Sequence, residues 1–77
     1  MARREPLRVV LGTNLRRSRK ARGWTQEFLG EEAEVHRTMV GAIERAELST
    51  GVDQVEKLAA ALGVEAASLF ERRKQVR

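Results

Sequence analysis

The sequence predicts an all-α fold of five helices, and three observations predict it. Apolar residues recur at three- and four-residue spacing in successive segments. Nothing alternates with the two-residue period of a half-buried strand. Caps and stops cut the chain at Pro6, Gly23, Thr25 and Gly63, where helices start or end.

The first helix begins after Pro6, with Leu7, Val10, Leu11 and Leu15 on one face. It ends at Gly23, a left-handed stop after a cationic last turn. Thr25 has the form of an N-cap for a second helix from Gln26 to Ala33. Glu27 lies near its positive end, and Trp24 and Leu29 are placed as a hydrophobic staple. Only Glu34 and Val35 separate this helix from His36, a weak cap for a third helix that continues to Arg45 or Ala46. A fourth runs from Val52 to Leu62, with Val52, Val55, Leu58, Ala59 and Leu62 on one face and Gly63 as its stop. The fifth, Glu65 to Arg73, is short and carries Leu69 and Phe70. Residues 1–6 form an N-terminal arm, 7–73 a helical core and 74–77 a basic tail.

A 77-residue chain is one domain that buries roughly 60% of its unfolded surface, so a partner subunit would help it. There is no cysteine and one histidine, so neither a disulfide framework nor a Cys/His zinc site can be assembled. A nucleophile–histidine constellation has no more to build on, and an enzyme is not expected. No apolar run reaches the ~18 residues of a membrane span, and Val9-Val10-Leu11 is too short for a secretory core. A soluble, cytoplasmic protein is expected.

The formal charge is +4, unevenly placed. Residues 1–22 hold eight Arg/Lys against one acid, residues 72–77 hold four against none, and residues 23–71 hold three against ten acids. A basic end on an acidic body sets Arg16, Arg17, Arg19, Lys20 and Arg22 either against an anion, nucleic acid being the commonest, or on a solvated helix face.

A helix of about nine residues is marginal in water, so the second and third must be held by packing of Leu29, Ala33, Val35, Val40 and Ile43. Such a two-helix corner is a helix-turn-helix. At ~100° per residue, Met39, Val40 and Ile43 of the third helix face the core, and Arg37, Thr38, Gly41, Ala42 and Arg45 face outward. Two cations, a hydroxyl and small side chains suit a helix that enters a DNA major groove. Gly41 costs roughly 1 kcal/mol in a helix, and clearance is a reason to keep it.

The stretch LGTNLRRSRKARGWTQEFLGEEAEVHRTMVGAIERAE, followed by ALGV, resembles the Cro/repressor-type helix-turn-helix domain of the XRE family. The pattern is carried by Arg19 to Gly23, Thr25-Gln26-Glu27, Leu29, Val35, Arg37, Ile43-Glu44-Arg45 and Ala61-Leu62-Gly63-Val64. The ordered set is specific where single elements are not. It implies a lambda-repressor-like fold and a homodimer that reads paired half-sites on double-stranded DNA to regulate transcription.

The resemblance assigns roles one by one. Gln26 becomes a phosphate contact, and Arg37 and Thr38 become base readers, an arginine there taking both acceptors of a guanine. Ala42 matches a further reading position with only a methyl to offer. Arg45 and Arg17 are expected on the DNA backbone, and His36 is a cap or phosphate neighbour. Arg19 and Glu44 are expected to pair structurally, tying the first helix to the third. Val64, Leu69 and Phe70 are expected at the dimer interface, with Val52 and Val55 as helpers.

His36 to Leu62 is further similar to controller proteins of restriction–modification systems. An antitoxin or coactivator-type interaction module is the competing expectation on the same scaffold. No cofactor, metal or small-molecule ligand is expected. The chain departs from the pattern at Glu34 and Ala46, both usually glycine, at Ser18, usually apolar, and at Gly30, usually alanine.

Overall fold

A computed structural model describes residues 4–72. Residues 1–3 and 73–77, which take in part of the expected arm, the last residue of the expected fifth helix and the expected basic tail, lie outside them. Four α-helices follow in order, α1 (Leu7–Ala21), α2 (Gln26–Ala33), α3 (Arg37–Glu44) and α4 (Val52–Leu62), then a 3₁₀ helix (Ala66–Phe70). No strand occurs among the described residues.

The local chemistry explains the limits. Thr25 is extended and its hydroxyl accepts from the Phe28 N–H at 3.0 Å, satisfying an orphan donor of α2. His36 does the same for α3, its Nδ1 accepting from the Thr38 N–H at 3.0 Å. Gly63 closes α4 in the left-handed region, φ 71°.

The fifth helix is shorter than the sequence suggests and of a tighter kind. Asn14 of α1 explains why: its Nδ2 donates to the Leu69 carbonyl at 2.9 Å and the Glu71 carbonyl at 2.8 Å. An α-helix carried on through Arg73 would need the Leu69 carbonyl for its own ladder. Glu71 is instead extended.

Leu15, Leu29, Val40, Ile43, Leu58 and Leu62 are the largest fully buried side chains. α3 packs on α1 and α2, α2 also packs on α4, and the 3₁₀ helix bridges α1 and α4. Backbones come close at two glycines. A Cβ on Gly12 would lie 2.5 Å from the Ile43 oxygen and 2.7 Å from the Glu44 oxygen, so only a bare Cα lets the α1 backbone come this close to the end of α3. A Cβ on Gly30 would collide with the Val35 carbonyl, which explains a glycine where alanine is usual.

Leu69 and Val55 correct the interface expected above. Both are buried within a single chain, Leu69 at 2% exposure, because they complete the monomer core. Val64 and Phe70 are only partly buried against that core, and Val52 is exposed.

Candidate nucleic-acid interface

α3 is held from behind by Val40 and Ile43, leaving its first turn open: Arg37 and Thr38 are both exposed. A further anchor is the Arg19–Glu44 pair. The Arg19 Nε donates to Glu44 Oε2 at 2.6 Å, and Nη2 donates to Oε1 at 3.0 Å. Nη1 turns to the Trp24 carbonyl at 2.7 Å, so one guanidinium joins α1, the α1–α2 turn and α3. The hydrogen bond to the Glu44 carboxylate raises the Arg19 pKa above its ordinary value, against the opposing effect of burial.

Gln26 opens α2 and donates from Nε2 to Glu44 Oε1 at 3.0 Å. Its amide is thus fixed at a helix N-terminus, where backbone N–H groups face outward and favour an anion. Arg16, Gln26 and Arg45 line one cleft with the Arg19–Glu44 pair as its floor. Beside it Thr13, Arg16, Arg17 and Lys20 line a second, cationic depression. Arg17 is exposed and donates to Asn14 at 3.2 Å. α1 therefore brings its cations to the same rim as α2 and the end of α3.

Two acids border this surface. Glu27 lies 3.5 Å from Arg37, both more than half exposed. Glu47 accepts twice from Arg45, at 2.8 and 3.2 Å. Those hydrogen bonds raise the Arg45 pKa and hold the Glu47 carboxyl below the usual carboxylate range. Glu47 went unremarked in the sequence because residues two apart on a helix do not meet. Here a left-handed residue intervenes: Ala46 has φ 59°.

Ala42 is a correction. Expected outward as a base reader, it is 8% exposed, and Gly41 is buried too. α3 is gripped by both α1 and α2, so the arc left to solvent is narrower than a one-sided wheel implies. Gly41 does provide clearance, but for the protein's own side chains. A Cβ there would lie 3.0 Å from Arg45 Nη1 and 3.2 Å from Gln26 Oε1.

The turn between α2 and α3 completes the geometry. Glu34 adopts φ 59°, ψ 42°, the left-handed conformation that the family's glycine would adopt without strain. The Val35 N–H then returns to the Gly30 carbonyl at 2.8 Å. A family model described as helix-turn-helix matches residues 15–69, well over half of the chain. The chain belongs to the helix-turn-helix family.

This helix-turn-helix protein is 43% identical over 66 residues to a hypothetical transcription factor of Neisseria meningitidis serogroup B, covering 86% of the chain and 62% of that relative. It thus spans about three-fifths of that relative's length. It is 33% identical over 66 residues to the control protein C.BamHI of Bacillus amyloliquefaciens, covering 84% of the chain and 82% of that protein. Among solved structures, the restriction–modification controller protein C.AhdI of Aeromonas hydrophila superposes with a TM-score of 0.79 at 36% identity, covering 82% of this chain and 96% of that one. No helix among the described residues is long and apolar enough to cross a membrane.

Proposed function

We propose that this chain is a sequence-specific, double-stranded DNA-binding transcription regulator that acts as a homodimer on paired half-sites, in the manner of a restriction–modification controller protein. The observation that carries the reading is the pair Arg37 and Thr38, exposed at the free first turn of a helix whose opposite face is locked into the core. A helix presented this way fits the major groove, where arginine takes the O6 and N7 of guanine and threonine touches a thymine methyl. His36 caps that turn, while Gln26, Arg17 and Arg45 lie toward the far end of α3, and together they position the protein on phosphates.

One such helix reads few base pairs, and a two-fold dimer doubles the site at a spacing of about 34–36 Å. Of the residues expected at the interface, Val64 and Phe70, partly buried on the monomer core, and Val52, 77% exposed, are accessible for that contact. The similarity to C.BamHI and C.AhdI supports the controller role.

Selection of bound fragments from a random oligonucleotide pool tests the reading. The expected outcome is a palindromic consensus whose half-sites lie about one helical turn apart, bound by a species of dimer mass in sedimentation. A stoichiometric protein partner on purification, with no duplex bound at low salt, would instead make this an antitoxin-like interaction module.

A further inference from the structure

Helix α3 ends in a turn that sets two side chains as well as a chain direction. The Arg45 N–H donates to Gly41 at 3.0 Å, that of Ala46 to Ile43 at 3.0 Å and that of Glu47 to Ala42 at 2.9 Å. With Ala46 left-handed at φ 59°, these bonds form the usual closure of a helix by a residue of positive φ. Residues 45 and 47 emerge on one side. Their side chains meet as a fork on a fork, Nε to Oε2 at 2.8 Å and Nη2 to Oε1 at 3.2 Å, each 56% exposed.

Two parallel N–H···O bonds from one guanidinium to two oxygens of one anion is also how arginine grips a phosphate. The same guanidinium lies against Gly41 and shares a cleft with Arg16 and Gln26. We propose that Glu47 is an internal stand-in for a DNA phosphate, occupying the Arg45 fork in the free protein and weakening its grip on every duplex. The inference rests on the DNA-interface reading, in which Arg45 faces the backbone.

The physical consequences are specific. Binding exchanges one anion for another at Arg45, so part of the attraction to phosphate is spent on releasing Glu47. An exposed pair is weak enough for a duplex to displace. The freed carboxylate then stands beside phosphates and repels them. Neither effect involves a base edge, so Glu47 sets the strength of the grip and leaves the choice of sequence to α3. Salt loosens the internal pair as well as the protein–DNA contact, so the native protein has the shallower salt dependence.

Fluorescence anisotropy of the full chain on its selected operator and on a random duplex, over a series of salt concentrations, tests this. Glu47→Gln should bind both duplexes about three- to tenfold more tightly at low salt. The advantage should shrink as salt rises, with a log–log slope steeper by up to about 0.9 per protomer. In an Arg45→Ala background the same change should gain less, since only the repulsion of phosphates by Glu47 is then relieved. Glu47→Ser, with an intact thermal melt, guards against an effect special to glutamine.

Equal or weaker binding of the random duplex by Glu47→Gln overturns the proposal, as does an undiminished gain without Arg45. Failure of the underlying reading looks different: native protein and variants alike would bind no duplex even at low salt, and the role of Glu47 would fall with it.

Discussion

Arg19 and Glu44 meet in a two-pronged ion pair between α1 and α3, with side chains only 9% and 2% exposed. Gln26 adds a third hydrogen bond to the same carboxylate. Removing one partner leaves the other charge buried and uncompensated, so Arg19→Ala or Glu44→Ala should cost about 3–5 kcal/mol. That is a large share of the stability of a domain this small. Urea melts followed by helical circular dichroism measure it, and a loss below about 1 kcal/mol would show the pair to be solvated.

Glu34 and Ala46 both occupy the left-handed region, at φ 59°. Glycine at either place removes the clash between Cβ and carbonyl, though it brings its own entropic cost in the unfolded chain. Glu34→Gly and Ala46→Gly should each stabilise by about 0.5–1 kcal/mol, raising Tm by several degrees, and add when combined. A lower Tm for both would mean that neither turn is strained.

Gly12→Ala should act the other way. Its new methyl would meet the Ile43 and Glu44 carbonyl oxygens, which belong to backbone and cannot swing aside. A cost of about 1–3 kcal/mol is expected. Because both carbonyls lie at the end of α3, and that of Ile43 accepts from the Ala46 N–H, DNA affinity should drop even where the protein remains folded. A variant as stable and as tight-binding as the native chain would contradict the close approach.

Arg37→Ala should relax preference at one base pair and cost about 1–3 kcal/mol on the operator, with little change on random DNA. Arg17→Ala should weaken both equally and reduce the salt slope by about one. Competition titrations at two salt concentrations separate the two patterns. Equal losses on operator and random duplex for Arg37→Ala would remove it from the reading set.

Hydrogen bonds from Arg45 hold the Glu47 carboxyl below its ordinary value of 4.5. A carboxyl lowered in the folded state stabilises fully above its unfolded pKa, and that contribution is lost as pH falls through the folded value. The native protein should therefore melt slightly above Glu47→Gln at neutral pH, and the gap should close on acidification below about pH 4.5. A gap that persists in acid would place the effect elsewhere.

The limits of α2, α3 and α4 were legible because each is set by neighbours in sequence: Thr25, His36 and Gly63 act within a few residues of themselves. The Arg19–Glu44 pair was legible only through resemblance, since 25 residues separate its members. Gly12 carried no local signal at all, because what it avoids is the backbone at Ile43 and Glu44. The same distance hid the shortening of the last helix, which Asn14 brings about from 55 residues away. Ala42 was misplaced for a related reason: a wheel sees one neighbour, and α3 has two. Glu47 was hidden by a single dihedral at Ala46, which no helical periodicity anticipates.

The amide of Asn14 has a bearing on how the molecule is made. As the polypeptide leaves the ribosome, the first helix emerges well before the carbonyls of Leu69 and Glu71 that it must clasp, 55 and 57 residues further along. Until they emerge, one flank of the newborn helix stays uncovered, and this clasp can close only after them.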